Sequence, residues 1–180
     1  MTTPILFTAA VIALIVALNA IGLRRHWQAW RESRRDPDFE LIFPGALIRC
    51  YWLGESKWPP STLWRANACR AVQLLDEIGP EHIPEWQPGD VIRMLQRCNP
   101  PLRLVIIEGD HYTDPCLGKV RGQYSWGAVT IAYRDGDVAS TALVHEMIRA
   151  VDEKVHGIRD PHCEDWAERG EVDRLVMRQI

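Results

Sequence analysis

Apolar residues run from Pro4 to Leu23 without a single charge, and only Thr8 and Asn19 break the run with a strongly polar atom. At 1.5 Å per residue such a stretch spans about 30 Å, the thickness of a bilayer core. This predicts a transmembrane helix over residues 1–23. A cleaved signal peptide would have a basic start and a shorter apolar core, whereas no Lys or Arg precedes Arg24 here. A basic juxtamembrane segment follows over residues 24–38, with Arg24, Arg25, Arg31, Arg34 and Arg35 interleaved with Trp27 and Trp30. The positive-inside rule then puts the rest of the chain in the cytoplasm, although arginines can hold lipid headgroups on either side. Asp36-Pro37-Asp38 marks a break, because proline restricts the residue before it.

From residue 39 the pattern becomes that of a globular domain, residues 39–180. Residues 39–60 hold apolar pieces, Leu41–Phe43 and Ala46–Ile48, without a clear period. Ser61 is placed to cap a helix reaching about Ile78, with Leu63, Ala66, Ala71, Leu74, Leu75 and Ile78 as its stripe and Gly79-Pro80 as its stop. A shorter helix is expected over Pro88–Cys98, with Val91, Ile92, Met94 and Leu95 inward. Leu102–Glu108, Gly118–Trp126 and Gly127–Tyr133 read as strands, and Arg134–Asp137 as a turn. A helix then opens at Ser140 or Thr141 and runs to about Val155. Its core stripe is Leu143 or Val144, Met147, Ile148, Val151 and Val155, its other stripe His145, Arg149, Asp152 and His156, and Gly157 its cap.

Composition narrows the function classes. The chain carries 21 Lys and Arg against 24 Asp and Glu. With the five arginines and the glutamate of residues 24–35 set aside, 16 basic and 23 acidic residues remain, a net charge of −7. An acidic domain of this kind is not a nucleic-acid binder driven by phosphate neutralisation. The cysteines, at positions 50, 69, 98, 116 and 163, are odd in number, and none forms a Cys-x-x-Cys pair. They indicate neither a disulfide framework nor a zinc ribbon.

The chemistry is concentrated in Ala142-Leu-Val-His-Glu-Met-Ile-Arg149. The pattern His-Glu-x-x-His sets two imidazoles on one helix face with a glutamate beside them. His145 and Glu146 fit it, and Arg149 stands at the second histidine. Together with the order helix, strands, helix over residues 88–166, this segment resembles the zincin metallopeptidases. The resemblance implies an α+β fold, a minimal zincin-like domain with a small mixed sheet packed on the active-site helix. It implies Zn²⁺ as cofactor, with His145 as a ligand and Glu146 as the general base that activates metal-bound water for attack on a peptide bond. In that superfamily an edge strand before the helix pairs with extended substrate, and Gly127–Tyr133 is the matching segment. Many members place a further ligand downstream. Asp160-Pro-His-Cys-Glu-Asp-Trp166 supplies His162, with Asp165 or Glu164 as a third ligand or as an orienting carboxylate.

Arg149 departs from the pattern. A guanidinium donates five N–H groups and cannot bind zinc. His156 does not replace it, because eleven residues of continuous helix put it about 16 Å from His145. Asp152 stands where a longer form of the motif needs glycine. Three readings follow: a membrane-anchored metallopeptidase with an unusual ligand set; an inactive zincin-like domain that binds peptide or acts as a scaffold, with Arg149 as a fixed cation; or an unrelated α+β domain with a coincidental His-Glu pair.

Overall fold

The computed structural model describes residues 35–55, 60–114, 117–125, 127–134, 137, 141–158 and 166–180. The expected membrane span over residues 1–23 lies outside them. No helix among the described residues is long and apolar enough to cross a membrane. The chain divides into two units, Met1–Asp36 and Pro37–Ile180, and the described elements belong to the second.

The second unit is α+β. The stretch without a clear period is a hairpin, β1 (Phe39–Phe43) and β2 (Ala46–Leu53), turning at Gly45 with φ of 69°. Helices α1 (Thr62–His82) and α2 (Asp90–Arg97) lead to β3 (Leu102–Glu108). A small hairpin of β4 (Tyr112–Asp114) and β5 (Gly118–Val120) comes next, then β6 (Gly122–Ser125) and β7 (Ala128–Tyr133). Helix α3 (Thr141–Val151) continues into a π-helical turn, Asp152–His156, and α4 (Trp166–Arg178) closes the chain.

One sheet has the order β1-β2-β3-β7-β6. Its centre, β2-β3-β7, is parallel and both outer pairs are antiparallel. A parallel β2-β3 pair needs a long crossover, which α1 and α2 supply. The register puts Leu41, Ile48, Leu102, Leu104, Ile106, Val129 and Ile131 on one face, each 2 % exposed or less. The helices cover that face with Trp64, Leu75, Met94, Met147 and Val172, all part of one core. A fully buried side chain of this size contributes about 1.5–3 kcal/mol, so the alternation within the strands decides the fold.

Five expectations need correction. The first half of the α1 stripe is rotated: Leu63 is 67 % exposed, and Trp64, a larger apolar side chain, takes the core position at 1 %. Helix α1 runs through Gly79-Pro80, where a Cβ on residue 79 would come within 2.5 Å of the Trp86 ring. Gly79 therefore provides close approach, and the cap is Ile83, whose N–H bonds the Gly79 carbonyl. The expected strand over residues 118–126 is two strands, broken at Arg121 and belonging to different sheets. Gly127–Tyr133, expected at the edge, lies between β3 and β6, and the edge is β6. Helix α4 was not foreseen. Its buried positions Val172 and Val176 recur at i, i+4, but polar residues fill most of the rest.

The face of α3 expected to continue from His145 through Asp152 and His156 also divides. Asp152 is fully buried and bonds Arg169 Nε at 2.6 Å and Trp86 Nε1 at 2.9 Å. His156 stacks on Trp86 and lies 3.0 Å from Asp90. The wider π turn begins at Asp152, so the 3.6-residue period no longer places His156, while Asp152, at the end of the α-helical part, is covered by Trp86 and Arg169.

Candidate functional site

Helix α3 lies directly behind the edge strand. Arg121 O accepts the Ala132 N–H at 2.7 Å, so the antiparallel alternation turns the amide of Tyr124 outward, away from β7. That outward N–H donates to the carboxylate of Glu146. Gly122 makes the approach possible: a Cβ there would lie 3.0 Å from Glu146 Cγ and 3.0 Å from Ala142 Cβ.

Glu146 is only 3 % exposed, whereas the side chains of Arg149 and His145 are 21 % and 30 % exposed. Arg149 Nη1 lies 3.3 Å from Glu146 Oε2, and His145 Nε2 lies 3.9 Å from Oε1. Burial pushes the Glu146 pKa up, and the Arg149 guanidinium and the Tyr124 N–H pull against that without cancelling it. A buried carboxylate with a cation and a backbone donor is the arrangement that keeps a charge tolerable in the interior.

A cavity of about 350 Å³ opens beside this pair, lined by Arg121, Gly122, Ala142, His145, Glu146 and Asp173. Asp173, on α4, was missed by the sequence reading. Its Oδ1 is buried with no hydrogen-bond partner among the described residues, and burial raises its pKa from 3.8 to about 6. Tyr112, on β4, was missed as well. Its hydroxyl is buried without a partner among the described residues, and burial followed by the negative charge of Glu146 pushes its pKa up. Neither residue stands in a local motif, so no sequence signal marks them.

His162, Glu164 and Asp165 lie outside the described residues. Asp110 is at the surface, 3.5 Å from Arg134. Tyr133 sits in the core, edge-on to Trp52 and Trp64. Tyr124 is likewise buried and contributes its backbone to the site.

No family model, curated protein or solved structure matches the chain. What the site can do is therefore argued from its own side chains. Of the proposed zinc ligands only His145 is described. Arg149 occupies the second histidine's position and holds Glu146, and among the described residues no three His, Cys, Asp or Glu side chains gather as a metal cluster. The described residues alone do not compose a catalytic zinc site, which needs three protein ligands and an open position, and the candidate ligands His162 and Asp165 are not among them.

Proposed function

We propose that residues 39–180 form a zincin-like domain in which the Arg149 guanidinium stands in for the metal, and that it binds extended polypeptide along β6 without cleaving it. The observation that carries this reading is the pair of buried Glu146 and half-buried Arg149 beneath the edge strand β6, where the Glu146 carboxylate holds the outward Tyr124 N–H in the place that the backbone of an incoming peptide would have to take over. An edge strand recruits a peptide by main-chain pairing, and pockets beside it select the side chains. The His145–Asp173 cavity would serve as such a pocket. Pro4–Leu23 would tether the domain to a membrane, with the five arginines after it favouring the cytoplasmic side.

The experiment uses the full chain in detergent with a library of extended peptides. The reading expects saturable binding that Gly122→Val weakens, and no cleavage when zinc is supplied. Zinc-dependent turnover abolished by Glu146→Gln would overturn it.

A second reading, a membrane-anchored metallopeptidase, is favoured by one observation. Asp173, whose buried Oδ1 has no hydrogen-bond partner among the described residues, lines the same cavity as His145. That carboxylate, with His162 or Asp165, would be the compensating ligand set. Its test is whether zinc bound by the native chain is lost in both His145→Ala and Asp173→Asn.

A further inference from the structure

The edge of β6 is closed from within the domain. The register turns the N–H and C=O groups of Gly122 and Tyr124 away from β7, whereas those of Gln123 face it. Of the outward groups, the Tyr124 N–H already donates to the Glu146 carboxylate. That carboxylate comes from α3 and reaches the edge past Gly122, where a Cβ would stand 3.0 Å from Glu146 Cγ. A strand pairing with β6 needs the same N–H, so Glu146 and an incoming backbone compete for one donor.

An unpaired edge invites association with other strands, and a charged side chain turned against it is one way a fold prevents that. The competition is uneven. A hydrogen bond to a charged acceptor is roughly twice as strong as one between neutral groups, so a peptide carbonyl is the weaker acceptor for the Tyr124 N–H. Release does not strand Glu146, however. Arg149 Nη1 lies 3.3 Å from Oε2 and His145 Nε2 lies 3.9 Å from Oε1. Both are partly exposed and sit on α3, so a carboxylate that leaves Tyr124 keeps its cation. The cavity of His145 and Asp173 borders the same carboxylate. A ligand side chain entering that cavity would offset the bond that Tyr124 gives up.

We propose that Glu146 is an autoinhibitory latch: it caps β6 in the free domain, and a strand pairs there only when the carboxylate turns from Tyr124 towards Arg149 and His145. The latch rests on the peptide-binding reading of β6 and sets its selectivity. Extended backbone alone is refused, and backbone whose side chain also fills the cavity is taken up.

The test uses the full chain in detergent and a fluorescent octapeptide of alternating threonine and valine, an uncharged strand former. Glu146→Met removes the acceptor. Glu146→Met combined with Arg149→Met removes the whole pair, which leaves no cation stranded if the single variant fails to fold. Either folded variant should bind the octapeptide about tenfold more tightly than the native chain, the loss of one charge-assisted competitor. Its Tyr124 amide should also exchange about tenfold faster in the absence of peptide. Arg169→Met, which loosens the far end of α3, should not tighten binding. Equal affinity in native and variant chains, or an unchanged Tyr124 exchange rate, would overturn the latch and leave the peptide-binding reading in place. Tighter binding by Arg169→Met would overturn it too, by tracing the gain to a loosened fold. Faster exchange with no binding by any chain would support Glu146 as the cap and overturn the peptide-binding reading instead.

Discussion

Arg149 Nη1 lies 3.3 Å from Glu146 Oε2, one turn apart on α3, and the carboxylate of that pair also takes the outward N–H of Tyr124 on the edge strand. The carboxylate is neutralised, the edge of β6 is tied to the helix, and the position of the second histidine is filled.

Removing the cation tests its share. Arg149→Met leaves Glu146 buried without its ion-pair partner. The expected loss is about 2 kcal/mol, below the 3–5 kcal/mol of fully buried pairs because Arg149 is partly exposed and Glu146 can take up a proton. Glu146→Gln in that background should recover most of it, as read by denaturant unfolding of both variants.

Asp173 makes the domain sensitive to pH. An acid whose folded pKa of about 6 exceeds its ordinary 3.8 holds its proton more tightly when folded. Its contribution therefore favours folding at acid pH and declines as pH rises from about 4 to about 6. Asp173→Asn should be more stable than the native chain at pH 7.5, by up to about 2 kcal/mol once solvent screening is allowed for. The two should converge near pH 4. Thermal unfolding at both pH values measures the difference.

The Asp152–Arg169 pair, with both side chains 2 % exposed or less, joins the π turn to α4. Arg169→Met should cost about 3–5 kcal/mol by stranding Asp152. The double variant Asp152→Leu, Arg169→Met should cost less than that single change. A double-mutant cycle in urea gives the coupling.

Gly122→Val adds a side chain where a Cβ alone already meets Glu146 and Ala142 at 3.0 Å. It should destabilise by about 1–3 kcal/mol through overpacking and shift β6 from α3. Proton exchange at the Tyr124 amide should then accelerate, because that N–H loses its carboxylate acceptor.

Period and punctuation made much of the fold legible. Val91, Met94 and Leu95 face inward as their spacing implies, and Leu102–Glu108 is the strand its β-branched run suggests. Leu63 misled because the burial of Trp64 outweighs it, and a short apolar piece such as Leu41–Phe43 reads as neither helix nor strand until β2 pairs with it. The site was half legible. His145, Glu146 and Arg149 share one helical turn and one motif, so local spacing finds them. Asp173 reaches the cavity from α4 through tertiary packing, Tyr112 on β4 feels the charge of Glu146, and Asp152 is buried because Trp86 and Arg169 close over the end of α3. Edge position was misread, although β6 (Gly-Gln-Tyr-Ser) is the shorter, more polar and less buried of the two strands and β7 the more apolar one, as an edge and an inner strand should be.

The most direct test is the zinc content of the full chain purified without chelator, measured by elemental analysis for the native protein and for Arg149→His. The account predicts no stoichiometric zinc in the native chain and about one zinc per chain in Arg149→His, where the His-Glu-x-x-His pattern is restored. One zinc per native chain, lost in His145→Ala, would contradict it and establish a metal site that works with Arg149 in place.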